Sequence, residues 1–179
     1  MNTFSPLYDL ANSHGTDKGW RHEYTEVYYD LFKDRVNEVR GVFEFGIKLG
    51  ASLRLWREFF PKAQIFGFDK KDYTLITEDR IICFLGNQYN ERDIEESGKR
   101  ASSIAPLDLI IDDGCHRWET QLFTAQKMLP FLAPDGIYII EDVKNANGIC
   151  QPISVHYSVR AKKTGKGFDS VLVIIQRRK

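Results

Sequence analysis

GVFEFGIKLGASLRLWREFF, residues Gly41–Phe60, decides the fold. It opens as an apolar strand, turns on two glycines, Gly46 and Gly50, and continues as a helix. Leu53, Trp56, Phe59 and Phe60 fall on one side of that helix, Ser52 stands near its start, and Pro61 stops it. Downstream, AQIFGFDKKD reads as a second strand, Ala63 to Asp69, and RIICFLGN as a third. NERDIEESGKRASSIA reads as a charged helix or loop with weak periodicity. Leu107 to Asp112 makes a fourth strand, Trp118 to Leu132 a helix, APDG a turn and GIYIIEDV a fifth strand. ISVHYSVRA and SVLVIIQ flank the turn-rich KKTGKGFD and read as a terminal hairpin. Upstream, residues 1–20 are polar and punctuated by glycine. From Glu23 onward, Tyr24, Val27, Tyr28, Leu31 and Phe32 have the spacing of an amphipathic helix.

Strands alternating with helices predict right-handed crossovers and a doubly wound α/β sheet, mostly parallel and covered on both faces, with an antiparallel C-terminal hairpin. At 179 residues, 42% hydrophobic, the chain suits one domain: a helical segment over 1–40 and a core over 41–179. Its 25 basic and 25 acidic residues cancel, which argues against nucleic acid and anionic bilayers as partners and for a small soluble one. No stretch approaches the roughly 18 apolar residues of a membrane span, and no signal peptide is read at the N-terminus. Cys83, Cys115 and Cys150 are odd in number and lack metal-ligand spacing, which suits a reducing, cytoplasmic setting.

In such sheets ligands bind beyond the carboxyl ends of the strands. Those ends carry Glu44 with Gly46 and Gly50, then Asp69, then Gly86, Asn87 and Gln88, then Asp112 and Asp113, then Glu141 and Asp142. The glycine turn before a helix, with Asp69 placed to take two ribose hydroxyls, suggests an adenosine-containing cofactor. A dinucleotide fingerprint would be Gly-x-Gly-x-x-Gly. Here Glu44 stands where pyrophosphate would be repelled, and its charge suits the amino group of S-adenosylmethionine. The alternative for the glycines is a turn needed only for packing.

The fourth and fifth strands, as neighbours, would bring Asp113, Glu141 and Asp142 together. Clustered carboxylates in a crevice call for a cation, and an all-oxygen set favours Mg2+, with Mn2+ or Ca2+ as rivals. The plainer alternative has Asp112 capping the next helix and Glu141 or Asp142 pairing with Lys144. His116, beside the same site, suits a general base. Cys115 reads as a small packing residue.

FEFGIKLGASLRLW, IFGFD, DLIIDDGCH and GIYIIEDV resemble the class I S-adenosylmethionine-dependent methyltransferases, and more narrowly the metal-dependent sugar O-methyltransferases of macrolide pathways. HGTDKGWRHEYTEVYYDLF is similar to a segment preceding their core. The resemblance implies Asp113, Glu141 and Asp142 as metal ligands and His116 as base, with Asp113 shared between the two roles. It implies a cofactor lined by Glu44, Gly46, Gly50, Ser52, Leu53 and Asp69, with Asn87, Gln88 and Asp112 completing the set and Gln88 near the adenine. Thr16, Lys18, His22 and Tyr24 would form a lid over cofactor or acceptor. Cys115 stands where the family has serine. Residues 144–152 look too few for the helix that follows the fifth strand, and the additional oligomerisation domain of the larger macrolide enzymes has no counterpart, although self-association stays open. The acceptor implied is a sugar, glycan or natural-product hydroxyl. The rivals are a catechol-like or lipid acceptor, or a cofactor-binding protein without catalysis.

Overall fold

In the computed structural model, which describes residues 4–72, 76, 78–165 and 167–178, residue parity decides which side of a central sheet each strand residue covers. Val42, Leu109, Ile111, Ile137, Ile139, Leu172 and Ile174 face one layer. Phe43, Phe45, Ile110, Tyr138, Ile140, Val173 and Ile175 face the other. Apolar residues at both parities make these strands two-sided, as a sheet covered on both faces requires.

The strands are β1 (Gly41–Phe45), β2 (Gln64–Asp69), β3 (Ile81–Leu85), β4 (Leu107–Asp112), β5 (Leu132–Ile140), β6 (Tyr157–Lys163) and β7 (Val171–Arg177). They lie in the order β3-β2-β1-β4-β5-β7-β6. β1 to β5 run parallel, and β7 is antiparallel to both β5 and β6, so the doubly wound sheet and its C-terminal hairpin are as the sequence predicts. Strand order reverses between β1 and β4, which opens a crevice at their carboxyl ends. The edge strand β6 carries exposed Lys162 and Lys163, charges that discourage further pairing.

Helices α1 (Pro6–Ser13), α2 (Tyr24–Phe32) and α3 (Ala51–Phe59) cover one face, packing Leu7, Tyr28, Phe32 and Trp56 on the sheet. Helices α4 (Glu91–Ile104), α5 (Trp118–Met128) and α6 (Ala146–Ile153) cover the other, over a ring cluster of Phe43, Phe45, Phe66, Phe68 and Phe84.

Two local readings are narrowed and three are corrected. The polar start of the chain contains α1, which has Pro6 in its first turn and buries Leu7 and Ala11 one turn apart. The charged segment is a regular helix, α4, capped by the Asn90 side chain. Its buried face is made of Ile94, Ser97, Gly98 and Ala101, too small and polar to show as an apolar period. A Cβ at Gly98 would lie 2.6 Å from the Phe131 ring, so a larger residue would push α4 off its neighbour. The segment after the fifth strand does hold a helix, α6, capped by Asn145 accepting from the Gly148 amide. β6 accordingly begins only at Tyr157, and the APDG turn lies within β5 as an irregularity where pairing to β4 shifts register.

Candidate active site

The turn after β1 is the first part of the site. Gly46 has φ +82°, and a Cβ there would lie 2.1 Å from the Asp113 carbonyl oxygen. Glycine is therefore required by the close approach of the β4 end as well as by the backbone. Gly50 opens α3 with φ +79°. Asp69, at the end of β2, accepts from the amides of Ile47 and Lys71, tying the β1 and β2 turns together while lining the crevice.

The crevice has a volume of about 230 Å3 and is open to solvent. Its walls include Gly46, Asp69, Asn87, Gln88, Asp113 and His116, joined by Tyr89, Gly114 and Cys115, which were not expected there as ligand contacts. The Gln88 amide is already used internally: Nε2 donates to Asp112 and Oε1 accepts from the Cys115 amide. That bond needs glycine at 114, where a Cβ would meet Gln88 Oε1 at 2.1 Å. A second hollow on the other side of Gly46 is lined by Thr16, Trp20, Leu49, Ser52 and Asp113, with Trp20 64% and Leu49 78% exposed.

Other expected cofactor residues do not line either hollow. Leu53 is wholly buried in the core. Glu44 is also fully buried, accepting from the Ser52 hydroxyl at 2.6 Å, with Lys18 Nζ 3.3 Å away. Burial pushes its carboxyl up and Lys18 opposes the shift. Asp112 points inward to Gln88 and the Gly114 amide, and burial raises it to about 7 despite those bonds. It lies beneath the crevice wall rather than on it.

At the ends of β4 and β5 the two acidic pairs split. Asp113 Oδ2 accepts from Lys18 Nζ at 2.8 Å. Asp142, held at φ 54°, turns outward, whereas Glu141 turns inward and is 1% exposed. Oxygens of Asp113 and Asp142 and a ring nitrogen of His116 lie within 4.8 Å of one another. Glu141 is engaged elsewhere: Lys18 donates to Oε2 and the Tyr28 hydroxyl to Oε1, both at 2.6 Å. Burial raises Glu141, with Lys18 opposing. Burial likewise opposes the Lys18 charge, but Asp113, Glu141 and Glu44 outweigh it and hold the ammonium well above its ordinary range.

In the segment from Thr16 to Tyr24, Lys18, His22 and Tyr24 are buried beside this rim, whereas Thr16 and Trp20 line the second hollow. Lys18 and Tyr24 are each 1% exposed. The Tyr24 hydroxyl donates to Asp142 Oδ1 at 2.7 Å and accepts from the Asp142 amide at 3.1 Å. The His22 ring lies 3.5 Å from the same carboxylate and 3.1 Å from the Ser170 hydroxyl. The β6–β7 turn clamps the segment, with the Gly165 amide and the Thr164 hydroxyl donating to the His22 carbonyl. Sequence reading named Lys18, His22 and Tyr24 but missed Tyr28, because a tyrosine at a helical core spacing gives no sign of a carboxylate partner 113 residues away.

Sheet order, two-sided cover and a crevice at the switch point give the chain the fold of the class I methyltransferases. No family model matches it. Over 148 residues, 78% of this chain, it is 34% identical to mycinamicin VI 2''-O-methyltransferase of Micromonospora griseorubida and 33% identical to demethylmacrocin O-methyltransferase of Streptomyces fradiae. It spans only 36% and 37% of their lengths. The MycE methyltransferase from the mycinamycin biosynthetic pathway, solved in complex with Mg, SAH and mycinamycin VI, superposes with a TM-score of 0.83 at 23% identity. That match covers 98% of this chain and 55% of the other. Among the described residues no helix is long and apolar enough to cross a membrane.

Proposed function

We propose that this chain is an S-adenosylmethionine-dependent, divalent-metal-dependent O-methyltransferase acting on a hydroxyl of a sugar or a sugar-bearing natural product. The observation that carries the reading is the meeting of Asp113, Asp142 and His116 at the mouth of a crevice walled by Gly46, Asp69 and Gln88. By their names, two relatives are a mycinamicin VI 2''-O-methyltransferase and a 2'-O-methyltransferase of a rhamnosyl tetracenomycin.

The residues fit both groups. The crevice offers Asp69 beside a glycine turn for an adenosine, with Asn87 and Gln88 opposite. Two outward carboxylates suit a small hard cation, Mg2+ or Mn2+. Asp113 and Asp142 would hold that ion. Glu141, the third expected ligand, is bonded to Lys18 and Tyr28, so its entry into the coordination sphere requires those bonds to open.

A divalent ion there would lower the pKa of an acceptor hydroxyl and stabilise the charge that develops on its oxygen. His116, its side chain 39% exposed and Nε2 3.8 Å from Asp142 Oδ2, would take the hydroxyl proton. Holding donor and acceptor in line against the crevice wall would supply much of the rate. A second reading makes His116 a third ligand, which its place within the 4.8 Å cluster favours. Catalysis rests on testing the chain with labelled S-adenosylmethionine, Mg2+ and matched panels of glycosides, catechols and lipids. Label transferred to glycosides is expected. Transfer only to catechols or lipids would overturn the acceptor class, and cofactor binding with no transfer to any panel would overturn the activity.

A further inference from the structure

The N-terminal segment touches the outward carboxylates without lining the cofactor crevice. Lys18 holds one oxygen of Asp113, and the Tyr24 hydroxyl holds one oxygen of Asp142 together with that residue's own amide. These bonds fall on Oδ2 of Asp113 and Oδ1 of Asp142, and among the described residues no hydrogen bond is made to the other oxygen of either. Asp142 Oδ2 lies 3.8 Å from Nε2 of His116.

The Tyr24 pair of bonds matters most, because Asp142 adopts the left-handed backbone that a residue with a Cβ resists. One hydroxyl that accepts from the amide and donates to the carboxylate fixes both the turn and the side chain. Stacking on His22, with centroids 5.1 Å apart, holds the Tyr24 ring in place. Lys18 does the corresponding work at Asp113 and also bonds Glu141, so one ammonium links the ends of β4 and β5.

We infer that Lys18 and Tyr24 are positioning residues for the divalent ion, not lid contacts to the cofactor, and that the N-terminal segment completes the metal site from below. The inference rests on the metal reading of Asp113 and Asp142. Partners behind metal ligands typically change metal affinity by roughly 10- to 100-fold when removed.

The test uses the full chain, chelated and then titrated with Mn2+, with binding followed by the loss of free-ion paramagnetic resonance signal and SAH affinity measured separately by calorimetry. Tyr24→Phe keeps the ring and its stacking and removes only the hydroxyl. It is expected to weaken Mn2+ binding by about 10-fold or more, with SAH affinity changed less than about 2-fold. Lys18→Met is expected to act in the same direction, and Lys18→Arg to restore part of the loss. Lys18→Met leaves carboxylates buried without a counter-charge and can fail to fold, in which case Tyr24→Phe alone decides. Unchanged Mn2+ binding in Tyr24→Phe, or a loss confined to SAH, overturns the inference. A wild-type chain that takes up no Mn2+ overturns the metal reading itself, a different result from wild-type binding that the variant leaves intact.

Discussion

The ends of β4 and β5 present the same problem, two adjacent carboxylates, and resolve it in parallel but with different chemistry. At each end one acid turns in and one turns out: Asp112 and Glu141 inward, Asp113 and Asp142 outward. The inward acids differ in what meets them. Glu141 finds an ammonium and a phenol, whereas Asp112 finds an amide and one backbone N–H, with Oδ2 left without a partner. A site can thus require four acids on two neighbouring strands while exposing only two of them to a ligand. Strand alternation separates neighbours in sequence, and the left-handed turn at Asp142 completes the separation at β5.

The largest expected effect comes from removing an outward acid. Asp113→Asn or Asp142→Asn should eliminate saturable Mg2+ binding in calorimetry, a greater loss than the roughly 10- to 100-fold typical of a supporting partner. Retained affinity in both variants would move the ion elsewhere. His116→Ala comes next, with turnover on a glycoside acceptor lowered by about 10²- to 10⁴-fold. Mg2+ affinity should persist if His116 is the base, and fall with the rate if it is a ligand.

Of the inward acids, Glu141→Gln should cost more than Asp112→Asn in metal affinity, yet no more than about 10-fold, because Glu141 acts through Lys18. An effect equal to that of Asp142→Asn would show that Glu141 leaves Lys18 and Tyr28 to join the ion. The remaining effect is on stability and is spread over several pH units. Asp112 is raised to about 7 by burial, above its ordinary value, so the native state holds a proton there that the unfolded chain has lost. Between about pH 4 and 7 that contribution therefore makes stability fall as pH rises, by at most about 1.4 kcal/mol per pH unit. Urea titrations of chelated protein should show this slope flattened in Asp112→Asn, whatever constant offset the amide brings. An unchanged slope would remove Asp112 as its source.

Much of this was legible in sequence because it is local. Short apolar runs closed by polar or turn residues marked the strands, helical spacing marked α2 and α3, and the residues at and just past the carboxyl ends included Asp69, Asp113, Asp142 and His116. What could not be read is what depends on partners far along the chain. Lys18 meets Asp113 and Glu141 across 95 and 123 residues, and no local pattern marks that pairing. Nor does adjacency reveal that Glu141 and Asp142 diverge, since that depends on one backbone angle. α1 and α6 escaped notice because each has eight residues, too few for a period to stand out.

Methyl transfer to a glycoside, followed after chelation while Mg2+ is restored stepwise, bears most directly on the proposal that an ion held by the outward acids drives the reaction. The rate should fall to background with chelator and return along a saturating curve, a return that Asp142→Asn should abolish. Turnover indifferent to chelator, in a chain that still binds S-adenosylmethionine, would contradict it.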